Sequence, residues 1–170
     1  GEPSFLKKGA AEARIRDWEI SRSALVEAFI ALRESGIDLE RERERLRTSF
    51  AHSDGVAVAI AVAAGKTAEF GVDLEREGRA ISDSAFSRFY RPEEGEFLRA
   101  RLDHWVLKEA CYKAHPRSGE TVVADYVVTD GDPEKHDFKV LCTKGAPEKF
   151  RGIVGSVDGF RYALATRVSV

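Results

Sequence analysis

The chain of 170 residues predicts an α+β fold, with helices packed on antiparallel sheet, and three observations carry that reading. Apolar residues recur with helical spacing near the start, a second helical run ends before Pro116, and from Val122 onward the pattern changes to short strands. A hydrophobic content of 43% with interspersed charge fits one soluble globular domain over 1–170 with a sizeable core.

Each element has its own signal. From Ala10 to about Ser35, Ile15, Trp18, Leu25, Phe29 and Leu32 fall at helical intervals, and Gly36 ends the run. Arg22 interrupts that stripe, either snorkelling to water or binding an anion. Glu40 to Arg47, nearly all Glu and Arg, reads as a solvated helical face. Asp54-Gly55 marks a turn into Val56 to Ala63, a small-side-chain run suited to a buried strand. Ala64-Gly65-Lys66-Thr67 then turns the chain back into Ala68 to Glu75, predicting a hairpin. Ser82 to Tyr90 reads as a short helix, and Arg91-Pro92-Glu93-Glu94 opens another with its proline in the first turn. Asp103 is the expected cap of the helix that stops before Pro116. Strands follow at Val122 to Val128, Asp137 to Cys142, Gly152 to Val157 and Phe160 to Val168, the last two joined through Asp158-Gly159.

Composition narrows the function classes. A net charge of -2 leaves no basic footprint for a nucleic-acid backbone. Cys111 and Cys142 have no zinc spacing and read as reduced core residues. No apolar stretch is long enough to span a bilayer, and Gly1-Glu2-Pro3-Ser4 has no signal-peptide pattern, so a cytoplasmic protein without membrane attachment is the expectation.

The chemistry concentrates in two short segments. In Phe70-Gly71-Val72-Asp73-Leu74-Glu75, strand alternation lets Asp73 and Glu75 share a face while Val72 and Leu74 enter the core. In Trp105 to Lys113, helical spacing brings Trp105, Glu109 and Lys113 to roughly one side. Three acids and an amine suit a metal-bound polyphosphate, and hard oxygen ligands suit Mg²⁺, with Mn²⁺ as a substitute. The blander alternatives are acids on an exposed strand face, a Glu109–Lys113 surface pair of about 0.3–0.5 kcal/mol, and His52 as a turn histidine.

Together, His52-Ser53, Gly71-Val72-Asp73-Leu74-Glu75, the Phe89 to Glu94 segment and Trp105-x-x-Lys108-Glu109-Ala110-x-x-Lys113 resemble the 4'-phosphopantetheinyl transferases of the surfactin-synthetase-activating type. The resemblance implies two lobes related by a pseudo-two-fold axis, with an abbreviated first lobe at 1–49 and a main lobe at 50–170 carrying the metal site. It implies transfer of the phosphopantetheine arm of coenzyme A to a serine of an apo acyl or peptidyl carrier protein, releasing adenosine 3',5'-bisphosphate. Asp73, Glu75 and Glu109 are then the Mg²⁺ ligands and Glu109 the general base, with Asp73 the alternative base. Lys113 neutralises charge on the diphosphate, Lys108 faces elsewhere or reaches another phosphate, and Arg22 and His52 hold phosphates on the nucleotide side. The carrier, from fatty-acid, polyketide or nonribosomal peptide synthesis, is expected to be acidic. Arg76, Arg79, Arg88, Arg91, Arg99 and Arg101 are its expected cationic rim. A monomer or loose dimer is expected. The rival readings are a non-catalytic scaffold that binds coenzyme A or a carrier, and a metal-dependent phosphohydrolase.

Overall fold

Gly36 adopts the left-handed backbone (φ 88°) that closes a helix. Ile37 N–H donates to the Leu32 carbonyl (3.2 Å) and Gly36 N–H to that of Arg33 (3.0 Å), satisfying two carbonyls of the last turn. The computed structural model describes residues 4–63 and 69–168. Its first helix, α1 (Ser4–Glu34), starts before the predicted Ala10. Leu25, Phe29 and Leu32 are half-buried as the stripe requires, but Ile15 and Trp18 are 58% and 59% exposed. The reason is length. A helix of 31 residues extends about 46 Å, whereas the eight-residue strands it packs on reach about 27 Å.

Two expectations fail here. Glu40 to Arg47 is not a helix: Asp38 Oδ1 accepts from the Glu40 and Arg41 N–H groups (3.1 and 3.2 Å), offering the backbone a turn in place of a helical ladder. After a 3-10 turn at Arg43–Arg45, strand β1 (Leu46–Ser53) begins. It pairs antiparallel with β2 (Val56–Ala63) through Asp54-Gly55, both at positive φ. The predicted hairpin between Val56 and Glu75 therefore does not form, and its turn at 64–67 lies outside the described residues.

Strand β3 (Phe70–Arg76) pairs instead with the last strand of a five-stranded antiparallel sheet of order β3-β7-β6-β5-β4. The others are β4 (Tyr126–Asp132), β5 (Asp137–Cys142), β6 (Glu148–Val157) and β7 (Phe160–Val168). β5 and β7 match their predicted limits, β6 begins earlier, and β4 starts late because Val123–Asp125 forms a 3-10 turn. Between β3 and the last four strands lie a one-turn helix α2 (Asp83–Phe86), a 3-10 turn at Pro92–Glu96, and helix α3 (Arg101–Lys113). The helix expected from Ser82 to Tyr90 is thus shorter, and Ser82 caps it, its Oγ accepting from Ala85 N–H. Asp103 is not the cap of α3; it sits in the first turn and pairs with Arg161 at 2.7 Å.

α3 crosses β3, β7 and β6 and seals the core, burying Val106, Leu107, Ala110 and Cys111 against Tyr126, Phe138, Phe150 and Ala163. Both cysteines are buried and free. The other side of β3 sends Leu74 into a second cluster with Ala51 and Phe160. β1 runs beside β3's open edge, where the Ser49 and Ser53 hydroxyls accept from the Val72 and Arg76 N–H groups (3.0 and 3.3 Å). Serine side chains thus satisfy edge donors that no strand pairs. Among the described residues no helix is long and apolar enough to cross a membrane.

Candidate functional site

Gly71 sets how near α3 comes to β3. A Cβ at this position would lie 2.1 Å from the Ala110 carbonyl oxygen and 2.7 Å from the Ala114 nitrogen, so only glycine lets the backbones approach this closely. Alternation then turns Asp73 and Glu75 to the same side of the strand, under α3. Lys113, on the last turn of α3, donates to Asp73 Oδ1 (2.8 Å), to the Val72 carbonyl (3.1 Å) and to the Phe50 carbonyl (3.4 Å). One ammonium therefore ties α3, β3 and β1 together at the site.

Asp73 is 7% exposed, and its Oδ2 is buried without a hydrogen-bond partner. Burial raises its pKa, and the Lys113 ammonium opposes that rise. Glu109 is pushed up by burial first and by the Asp73 charge second, with Lys113 and Arg79 pulling it down. The two carboxylates thus feel one another across the strand–helix contact. Glu75 is occupied differently: Ser53 Oγ donates to its Oε2 at 3.0 Å, and Arg79 forms a salt bridge with Oε1. The Arg79 guanidinium also lies over the Trp105 ring, 5.5 Å from its centroid.

Arg22 and His52 come together in a second place, a cleft between α1 and β1 lined also by Arg14, Asp17, Trp18 and Phe50. Arg22 stacks on Trp18, its guanidinium carbon 4.6 Å from the ring centroid, and His52 Nδ1 is 3.7 Å from Asp17. Phe50 links the two places, lining the cleft while its carbonyl receives Lys113.

Lys108 does not join either. It is fully buried, its Nζ 2.8 Å from Glu94 and donating to the Phe89 carbonyl, so of its two expected placements it takes the one facing elsewhere and not the one at a phosphate. A turn of about 100° per residue separates it from Glu109 and sends it inward. Glu94 is equally buried and also accepts from the Arg91 and Val128 N–H groups, both at 2.7 Å. The expected arginine rim is also thinned. Arg76 pairs with Asp54, Arg101 with Asp83, and Arg79 with Glu75.

Among the described residues no three His, Cys, Asp or Glu side chains stand close enough to hold a metal ion. Asp73 and Glu109 nevertheless fit a hard cation: a buried Asp73 oxygen lacks a partner, and the Asp73 charge raises the Glu109 pKa. Glu75 fits only by exchanging Arg79. Sequence reasoning placed Arg79 on a rim and did not single out Trp18 or Ser53 as contacts. Arg79 lies in a loop without periodicity, and Trp18 looked like core on its helical stripe.

A stability prediction follows from Glu109. The folded state binds the Glu109 proton more tightly than the unfolded chain does, so ionisation subtracts stability at neutral pH. That loss is recovered as pH falls through the raised pKa toward the ordinary 4.5. Glu109→Gln is therefore expected to raise the unfolding free energy at neutral pH by on the order of 0.5 kcal/mol, a gain that shrinks on acidification. Urea unfolding across that pH range checks it, and parallel pH curves for the two proteins would count against the assignment.

No protein-family model matches the chain, and no curated protein matches it either.

Proposed function

We propose that the chain transfers the 4'-phosphopantetheine arm of coenzyme A to a serine of an apo carrier protein, dependent on Mg²⁺ or Mn²⁺. The observation that carries this reading is the meeting of Asp73, Glu109 and Lys113 across the β3–α3 contact, with one Asp73 oxygen buried and unpartnered. The sequence resemblance names the same three residues.

A divalent cation held by Asp73 and Glu109, and by Glu75 once it leaves Arg79, would polarise the diphosphate of coenzyme A. In the reaction, the carrier serine oxygen forms a bond to the β-phosphorus of that diphosphate. The bond to the bridging oxygen breaks, and adenosine 3',5'-bisphosphate leaves. The serine proton passes to a carboxylate. Glu109 is the proposed acceptor because it lies on α3 together with Lys113, which holds Asp73 at 2.8 Å, and Asp73 is the alternative. Lys113 offsets negative charge beside Asp73. The Trp18, Arg22 and His52 cleft would receive the nucleotide side, with an aromatic face and cationic groups close together. The proposed partner is an acidic carrier protein, the proposed location the cytoplasm, and the fold that of the transferase family with a shortened first lobe.

The test is intact-mass spectrometry of an apo acyl carrier protein incubated with the protein, coenzyme A and Mg²⁺. The expected result is a gain of one phosphopantetheine arm, slowed by about 10²- to 10⁴-fold in Glu109→Ala. Coenzyme A binding without transfer to any of several carriers would replace this reading with the scaffold. Release of adenosine 3',5'-bisphosphate without an acceptor would replace it with the hydrolase.

A further inference from the structure

Arg79 is a cation already seated among the carboxylates. Its guanidinium pairs with Glu75 Oε1 and lies over Trp105, and its charge is felt at both Asp73 and Glu109. Glu75 has no idle oxygen, because Ser53 holds the other one. Lys113 thus pairs with Asp73 and Arg79 with Glu75, while burial and the Asp73 charge both disfavour the ionised form of Glu109. Lys113 is anchored by three acceptors on two strands. Arg79 is held far less firmly: it is exposed, it sits beyond the end of β3, and its backbone N–H reaches only back to the Arg76 carbonyl in a turn. The two cations therefore differ in how easily they leave.

We propose that Arg79 is the displaceable counter-cation of this carboxylate cluster, holding Glu75 until a divalent cation takes that carboxylate and drives the guanidinium off both Glu75 and Trp105. This inference rests on the metal site of the proposed transferase. The physical cause is competition. A guanidinium and a divalent ion repel each other, and both need the Glu75 oxygen that Arg79 now holds. Once released, the guanidinium keeps its charge and its forked donors, which match the phosphate that arrives with the metal. Arg79 then acts as a positioning residue on the coenzyme A diphosphate, and the exchange couples metal binding to substrate binding.

The experiment uses the metal alone. Free Mn²⁺ is followed by electron paramagnetic resonance during titration of the wild type, Arg79→Gln and Glu75→Gln. Arg79→Gln is expected to bind Mn²⁺ at least about fivefold more tightly than wild type, because its competitor is gone, and Glu75→Gln is expected to bind more weakly than either. In a Trp18→Phe background, diamagnetic Mg²⁺ is expected to change the Trp105 emission, and that change is expected to vanish when Arg79→Gln is added. Mn²⁺ affinity in Arg79→Gln equal to or weaker than that of a metal-binding wild type would overturn the displacement and leave the transferase reading in place. A Mg²⁺-induced emission change that persists without the guanidinium would overturn it equally. Absence of Mn²⁺ binding in all three proteins would remove the metal site itself, and the proposal with it.

Discussion

Glu94→Ala is expected to lower the unfolding free energy by about 3–5 kcal/mol, the largest single effect in this protein. Glu94 and Lys108 both have fully buried side chains, and burial already depresses the Lys108 pKa against the pull of Glu94. Removing the carboxylate leaves an ammonium whose remaining acceptor is the Phe89 carbonyl, and it also orphans the Arg91 and Val128 N–H groups. The lysine can relieve part of the penalty by losing its proton, but the two backbone donors cannot. A paired replacement, Glu94→Met with Lys108→Met, is expected to recover much of the loss, because the charge problem disappears even though the orphaned donors remain. Urea unfolding of the three proteins decides this. An unchanged midpoint in Glu94→Ala would mean that the pair contributes nothing, and a double variant as unstable as the single one would mean that packing or the backbone donors dominate.

This pair also matters for the site. Glu94 ties the loop after Phe89 to β4 and to α3 one residue before Glu109. Lys108 thus supports the helix that carries Glu109 from the inside, away from the proposed site.

Gly71→Ala is expected to cost about 1–3 kcal/mol or more in stability and to reduce the proposed transfer further than that loss explains. The added methyl would meet the Ala110 carbonyl oxygen of α3 at 2.1 Å, the nitrogen of its C-cap Ala114 at 2.7 Å, and the Lys113 Cβ at 2.9 Å. Backbone atoms cannot rotate aside, so α3 must lift from β3. Lys113 then leaves its 2.8 Å contact with Asp73, and Glu109 moves with it. A displacement of about 1 Å at a reacting group can lower a rate about 10²-fold. Melting temperature and phosphopantetheine transfer, measured on the same preparation at a temperature where the variant stays folded, separate the two effects. A fully active and equally stable Gly71→Ala would show that the helix does not need this close approach.

The parts of the fold legible in the sequence are those written in near neighbours. Asp158-Gly159 and the alternating runs on either side announce the β6–β7 hairpin, since a turn and its strands lie within a few residues of each other. The helix from Arg101 to Lys113 stops before Pro116 for an equally local reason. The partner of β3 was not legible, because it lies about ninety residues away in β7, and a plausible local turn at 64–67 suggested β2 instead. β1 was hidden behind Glu- and Arg-rich residues whose polarity argued for a solvated helix, while Asp38 turned that segment another way.

The site divides along the same line. By itself the sequence determined which carboxylates share a strand face and which side chains share a helix face, because backbone periods of two and 3.6 residues follow from covalent geometry. It placed Asp73 with Glu75 and Glu109 with Lys113, whereas the close backbone approach at Gly71 emerged only in the structure. Only the tertiary structure decided which cation sits on which carboxylate. Lys113 went to Asp73, Arg79 to Glu75 and Lys108 inward to Glu94, because those pairings depend on how one helix and one loop come to rest against β3 and on which charges that contact removes from water.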